Sequence, residues 1–546
     1  MSELHFLGLG GTDEVGASSY LYRLHEGNLL IDAGARPGSV GEAALPQLER
    51  LAEHPPTAMI LTHAHLDHVG ALPVVIRRFP NLPIYCTEAT ARIAALVLSD
   101  TLKVSTSQGY PLFSAGEMKR TLERLRPVPY FTRVSDHGFA FTLLPSGHLL
   151  GAASVLIESG ARSVFHTGDV SNVATPVVDA AWLPAAVTPV DAVVSESTYG
   201  DTLLPARKEQ VRTFVTAIGE TLRGGGRVLI PSFALGRAQE ITQILQTAMA
   251  GGLIPSVPVH LDGLTRSVTE AYEAMLPLLP EPLQNRAKVS RQAPFLSGTV
   301  NLVRDRRERD GIIASERPCV VIASSGMLHA GASPQYARAW LPHAQNALFV
   351  VGYQDAESPG RRLLELQQGG EVMLQNGEGA LEPVPAYSRV ERFYLSAHAD
   401  RGGLLGMIAR YSPGKVLLTH GEKRARTNMA GYLDTRHDVV LPAAGDLVPL
   451  RDSGRRRGAF ISTAPRKLEA LKEKHARTTV TVRYDPATHQ VMIRLPDRLA
   501  GDLFGEGEYT LEVLRGKLTR IKLKEHDHAG VDAADTLQET EPAGQS

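Results

Sequence analysis

The sequence predicts an α/β protein: a sandwich of sheets flanked by helices, interrupted by a parallel-sheet unit and followed by a small β-rich unit. Three observations carry this. The first part mixes short apolar strands and turn residues with helical stretches, the middle alternates longer helices with strands, and four short strands follow a linker near the end. At 546 residues the chain exceeds what one core organises, so two or three domains are expected.

Taken in order, Leu4 to Leu9, Ser19 to Leu24, Leu29 to Asp32 and Ala58 to Leu61 read as strands. Helical spacing follows at Ala71 to Arg78 and Thr87 to Leu102, and strands return at Phe139 to Leu144, Ala153 to Glu158 and Ser163 to Thr167. That mixture indicates layered sheets and helices. From Ala206 the units lengthen: helix Lys208 to Arg223, strand Arg227 to Pro231, helix Arg237 to Ala250, strand Val257 to Leu261 and helix Ser267 to Met275. Strand Cys319 to Ala323, a helix near Gln335 to Leu341 and strand Ala347 to Val351 continue the pattern. Such βαβ alternation implies a parallel sheet with its own core. Strands at Arg392 to Leu395 and Lys415 to Leu418, each followed by a histidine, resemble the first part again, which makes the βαβ block an insertion. The expected domains are therefore 1–205 and 391–450 for the sandwich and 206–390 for the insertion. Arg451 to Gly458 reads as a linker, and 456–524 as a unit with strands near Thr479 to Tyr484, Gln490 to Leu495, Glu508 to Leu514 and Leu518 to Leu523. The acidic tail, 525–546, has the composition of a disordered segment.

With 57 basic against 58 acidic residues, overall charge selects no partner, and a nucleic-acid role needs a local basic groove. Cys86 and Cys319 are the only two cysteines and are far apart, which excludes a cysteine zinc site and a disulfide framework and suits a reducing compartment. The N-terminus has no signal-peptide pattern, and no window offers about 18 uninterrupted apolar residues. A cytoplasmic protein without membrane contact is expected.

The strongest chemical signal is Thr62-His63-Ala64-His65-Leu66-Asp67-His68, directly after the apolar run Ala58 to Leu61. A strand ending there delivers imidazoles and a carboxylate into a loop that can aim them at one point. His63 and His65 can face one ion, while Asp67 and His68 begin an adjacent set. Two metals are the natural reading, zinc first and Mn2+ as the alternative. Three later segments repeat the format of a strand followed by a donor beside glycine: Gly147-His148, Gly168-Asp169 and His420-Gly421. A lone histidine or aspartate there is ordinarily a turn or solvated residue; the repetition is what points to ligation. Asp169 can bridge two ions, and a hydroxide shared by ions about 3.5 to 4 Å apart is a strong nucleophile at neutral pH. Asp32, at the end of another apolar strand, is expected to accept a hydrogen bond from a ligand imidazole or the water.

HxHxDH with His148, Asp169 and His420 resembles the metallo-β-lactamase superfamily. Ser195-Glu196-Ser197-Thr198-Tyr199-Gly200, Ser396-Ala397-His398-Ala399-Asp400 and Leu418-Thr419-His420-Gly421-Glu422 resemble three additional motifs of its β-CASP nucleases. That family includes RNase J and the endonuclease subunit of the eukaryotic cleavage and polyadenylation specificity factor. Pro231 to Glu240 and Ser324 to Leu328 are similar to the family's inserted domain. The similarity spans roughly residues 1 to 450. It implies a metallo-β-lactamase αββα sandwich with an inserted parallel-sheet β-CASP domain, leaving the small C-terminal β-rich domain unmatched.

Carried over, the resemblance implies one metal on His63, His65 and His148, another on Asp67, His68 and His420, and Asp169 between them. Glu196 and His398 form a pair suited to proton delivery, His398 protonating the departing ribose oxygen while Glu196 holds it. The implied activity is metal-dependent hydrolysis of single-stranded RNA, as an endonuclease, a 5′-to-3′ exonuclease or both, with Asp67 also in the catalytic set. A DNA nuclease of the related repair branch is the alternative; that branch commonly carries Val where this chain has His420. A non-catalytic RNA-processing scaffold is the other, although such chains lose ligands and this one keeps all seven. Gly352 to Arg362 departs from the family pattern at Glu357 and Pro359.

Ser232, Ser325 and Gly326 are candidate phosphate contacts, and Arg237 and Arg361 candidate phosphate partners. Gly8-Leu9-Gly10-Gly11 lacks the Lys-Ser/Thr of a P-loop and reads as a tight hairpin. His166 reads as a packed strand residue. Arg455 to Arg457, Arg466, Lys467, Lys472 and Lys474 form a basic cluster that suits RNA backbone or a solvated helix face. The C-terminal β unit is a candidate for homodimerisation or RNA contact.

Overall fold

In the computed structural model of the chain, the described residues are 4–355, 357–366, 369–376, 379–433 and 436–450, together with the backbone of four strands between 481 and 523. The linker at 451–458, the basic cluster beyond it and the tail from 525 lie outside the described residues. The chain divides into two compact units, Met1–Ile461 and Ser462–Ser546.

Two seven-stranded mixed sheets face each other in the first unit. One runs in the order Leu447–Leu450, Leu4–Gly10, Ser19–Arg23, Asn28–Ile31, Ala58–Ile60, Ile84–Cys86, Leu125–Pro127. Its partner runs Asp438–Val440, Lys415–Thr419, Ala192–Glu196, Arg162–His166, Ala153–Ser159, Phe139–Pro145, Arg133–Asp136. Phe6, Tyr22, Ile31, Ile60, Phe141, Val155, Val194 and Leu417 fill the space between them. Full burial of each aliphatic side chain there contributes about 1.5–3 kcal/mol, and it explains why the central strands read as continuous apolar runs. The helix Glu88–Ser107, capped by Thr87 through Thr90 N–H, covers one outer face; Arg401–Tyr411 and Lys423–Leu433 cover the other.

Between Ala192–Glu196 and Lys415–Thr419, which pair in parallel, the chain leaves to build a six-stranded parallel sheet. Its order is Val300–Leu302, Val259–Asp262, Val320–Ala323, Val228–Pro231, Ala347–Val350, Arg389–Arg392. The last strand corrects the sequence reading, which put a strand at Arg392 to Leu395 with the returning sandwich. Its charged, part-exposed residues suit a sheet edge, and Phe393 and Leu395 beyond it pack into the inserted core, so that core continues past residue 390. Ala234, Leu235, Tyr272 and Phe295 of the insertion share one core with Leu149, Leu150 and Ile93 of the sandwich, tying the insertion to the segment that carries His148.

In the second unit, Thr481–Asp485, Gln490–Arg494, Tyr509–Leu514 and Lys517–Leu523 form an antiparallel meander. No helix among the described residues is long and apolar enough to cross a membrane.

Candidate metal centre and its flanking acid

Every donor predicted from the sequence sits just past the end of a sandwich strand, where carboxyl ends of strands open onto a crevice. After Ala58–Ile60 the chain turns through His63 and His65 into the short helix Leu66–Val69, which presents Asp67 and His68. That turn needs Gly34: a Cβ there would stand 1.6 Å from the Asp67 carbonyl oxygen. His148 follows Phe139–Pro145, and Gly147 before it has φ +73° with no room for a Cβ, whose nearest neighbours would lie at 2.4 Å. Asp169 follows Arg162–His166, and His420 follows Lys415–Thr419, its N–H donating to the Gly11 carbonyl at 2.7 Å. The glycine run near the N-terminus thus closes a bulged strand end against a donor loop.

For His63, His148 and His68, a hydrogen bond on the far side of the imidazole fixes which nitrogen faces the centre. The Thr62 hydroxyl donates to Asp32 Oδ2 (2.7 Å), so its oxygen accepts from His63 Nδ1 (3.1 Å) and His63 Nε2 is left as a lone pair. His148 Nδ1 donates to the Ala397 carbonyl (2.9 Å), leaving Nε2 bare. Both bare nitrogens point at His65 Nδ1, 3.1 and 3.0 Å away, where a single proton can serve only one of them. His68 Nδ1 donates to Asp32 Oδ2 (2.7 Å), turning its Nε2 toward Asp169 Oδ2 (3.5 Å) and Asp67 Oδ2 (3.6 Å). His420 Nε2 lies 3.2 Å from Asp67 Oδ2, and buried Asp169 Oδ1 has no hydrogen-bond partner. Lone pairs facing lone pairs and carboxylates is the arrangement cations resolve, and the donor set suits divalent metal. The atoms fall into two groups, His63, His65, His148 with Asp169, and Asp67, His68 with His420, each within 4.8 Å internally.

Electrostatics agrees with this division. Burial holds His63 and His148 well below the usual imidazole range and His65 down to about 4, so these three are neutral. Burial also lowers His68 and His420, but the carboxylates of Asp169 and Asp67 outweigh it and hold both above the usual value. Asp169, despite burial, is pulled well below the carboxylate range by His420, His68 and His63.

Beside the donors, Glu196 at the end of Ala192–Glu196 meets His398. His398 Nδ1 lies 3.0 and 2.9 Å from the two Glu196 oxygens. Glu196 is itself fixed by Val170 N–H (2.7 Å) and the Thr198 hydroxyl (2.6 Å). Burial works against a charged imidazole here, yet the Glu196 carboxylate lifts His398 to about 9. Sequence reasoning missed Thr62, Thr198 and the Ala397 carbonyl, although all three lie inside or beside the quoted motifs.

The predicted substrate contacts are placed differently. Arg237 is buried and ion-paired with Glu240, so it faces no solvent, contrary to the sequence expectation. Ser232 is buried and its hydroxyl donates to the Phe233 carbonyl (3.1 Å). The Ser325 hydroxyl accepts from His329 N–H (3.1 Å), and Gly326 packs on Phe233 with its carbonyl held by Gln354 (2.9 Å). Arg361 donates to Glu365 (2.6 Å). His166 is a packed strand residue bonded to the Tyr22 hydroxyl (2.8 Å).

A two-sheet sandwich with this donor set defines a metal-dependent hydrolase. Residues 12–217 match the metallo-beta-lactamase superfamily, 238–363 the Beta-Casp domain and 383–442 the Zn-dependent metallo-hydrolase RNA specificity domain. The chain belongs to the β-CASP family of the metallo-β-lactamase superfamily. It is 32% identical over 457 residues to the transcription termination factor FttA of Cenarchaeum symbiosum, covering 81% of this chain and 70% of that one. To the FttA of Methanosarcina mazei it is 33% identical over 459 residues (81% and 71%). An RNase J-like protein of Methanocaldococcus jannaschii is 28% identical over 449 residues, covering 81% of this chain and 98% of that protein.

Proposed function

We propose that the protein is a ribonuclease that hydrolyses RNA phosphodiester bonds with two divalent cations, zinc by preference and Mn2+ as the alternative. The observation that carries the reading is the seven-donor cluster of mutually facing lone pairs and carboxylates with the Glu196–His398 pair at its side. His63, His65 and His148 would hold one cation, Asp67, His68 and His420 the other, with Asp169 shared. Bound there, the cations supply Lewis-acid charge for the scissile phosphate and an acidified water for in-line attack. Asp32 holds His68 by Nδ1 and keeps its Nε2 turned inward. Glu196 holds His398 by Nδ1, so the proton on Nε2 is free for the departing O3′ of ribose; the products are 5′-phosphate and 3′-hydroxyl ends.

RNA is preferred over DNA as substrate because residues 383–442, which contain His398 and His420, match the RNA specificity domain. A scaffold without catalysis is disfavoured by the complete donor set. Two of the relatives are named as transcription termination factors, which supports RNA cutting in termination as a second reading; the RNase J-like match, spanning 98% of that protein against 70% of an FttA, supports general RNA processing more directly. His65→Ala and Asp67→Ala should each abolish cleavage of single-stranded RNA, and undiminished cleavage by both would refute the proposal. Sizing the products from 5′-monophosphorylated, 5′-triphosphorylated and circular RNAs separates endonuclease from 5′-to-3′ exonuclease action, and matched DNA strands test the sugar preference.

A further inference from the structure

Glu196 holds the ring of His398, but a second set of contacts holds its backbone, and that set begins in the inserted domain. Arg207 opens the helix Arg207–Arg223 and Glu240 lies on Arg237–Ala250. Both helices pack on the inserted sheet. The buried Glu240 carboxylate takes Arg207 on one oxygen and Arg237 on the other. Arg207 is thereby fixed at its second nitrogen, which donates to the Ser396 carbonyl at 2.8 Å. The Ser396 hydroxyl accepts from His398 N–H at 2.9 Å. The connection Glu240, Arg207, Ser396, His398 is unbroken, and only 16% of the Arg207 side chain is exposed.

We propose that Arg207 and Glu240 are positioning residues through which the inserted domain sets the aim of His398 at the leaving oxygen. The proposal rests on the reading of His398 as general acid. Arg207 touches no metal donor and lies outside the cluster at the metal centre. A planar guanidinium is required because it must meet a carboxylate and a carbonyl at once, with donors in a fixed fork. The same loop also carries the Ala397 carbonyl that accepts from His148, so the test must separate an effect on the acid from an effect on the donors.

A leaving-group comparison does so. Single-stranded RNA is prepared with one ordinary linkage, or with one 3′-bridging phosphorothiolate at the same position, whose thiolate departs without needing a proton. Loss of an acid slows the first linkage and spares the second; loss of metal or of folding slows both. Arg207→Ala leaves Glu240 paired with Arg237, so the buried carboxylate keeps a partner. The expected result for this variant is a kcat on the ordinary linkage lower by roughly 10- to 100-fold, less than the roughly 10²- to 10⁴-fold of a whole acid because His398 itself remains, with KM and the thio linkage within about twofold of wild type. Arg207→Lys, which keeps the charge but not the fork, should fall between. His398→Ala is the reference and should show the same selectivity with a larger loss. Equal slowing of both linkages by Arg207→Ala, or no slowing of either, overturns the proposal. Should His398→Ala itself slow both linkages equally, the acid assignment fails and takes the proposal with it; a selective His398→Ala beside an unselective Arg207→Ala sinks the proposal alone.

Discussion

The loops at the sandwich crevice and those at the mouth of the inserted sheet both follow strand ends, yet their polar side chains behave in opposite ways. At the crevice His63 and His148 are each fixed by one nitrogen from behind, so their Nε2 atoms both face His65 Nδ1, which can satisfy only one of them, and Asp169 Oδ1 has no partner. At the mouth, Ser232, Ser325, Arg237 and Arg361 bond within their own loop or helix and leave nothing unsatisfied. Polar groups buried against like groups mark where an external charge belongs, whereas groups closed on their own segment hold a loop in shape. The crevice is built for chemistry, and the mouth is built to keep its shape.

The sharpest way to break that contrast is Asp169→Asn. With this buried carboxylate gone, single-turnover RNA cleavage should drop on the order of 10³-fold, equivalent to about 4 kcal/mol of barrier, and metal analysis should show reduced occupancy; retention of both would place the chemistry elsewhere. Asp32→Asn acts one bond further out. It should weaken metal binding about 10- to 100-fold, read by competition against a chelator, and an unchanged affinity would mean His68 needs no orientation. The mildest effect is expected at the mouth. Arg361→Ala and Ser325→Ala should change kcat/KM less than about threefold, since an exposed ion pair contributes roughly 0–1 kcal/mol. A large loss there would show that these side chains leave their own loops to meet RNA.

The positions of the donors were legible because each is a short strand-end pattern: HxHxDH, Gly-His, Gly-Asp and His-Gly are complete within a few residues. The substrate contacts were not, because an arginine or serine reads the same whether it faces solvent or its own helix; only tertiary packing shows Arg237 closed on Glu240. Arg207 had no signal at all, since its partners Glu240 and Ser396 stand 33 and 189 residues away. Among the elements, the helix Ala115–Arg124 went unseen despite its Ser114–Glu117 capping box, because only Thr121 of it is buried and its apolar stripe is thin. The charged strand Arg389–Arg392 was given to the wrong sheet for a related reason: an edge strand carries little apolar pattern to say which core it borders.

The adjacent strands Ala192–Glu196 and Lys415–Thr419 carry a consequence for how the enzyme comes into being. Thr198 and His420 touch across a separation of 222 residues, so this part of the centre closes only after the entire insertion has been synthesised and folded. A growing chain on the ribosome can already display the six proposed donors up to Asp169 while lacking both His420 and His398. Long-range closure of this kind is slow and comes late. The order of synthesis therefore delays completion of the proposed site until His398 and His420, the last of its residues along the chain, have been made.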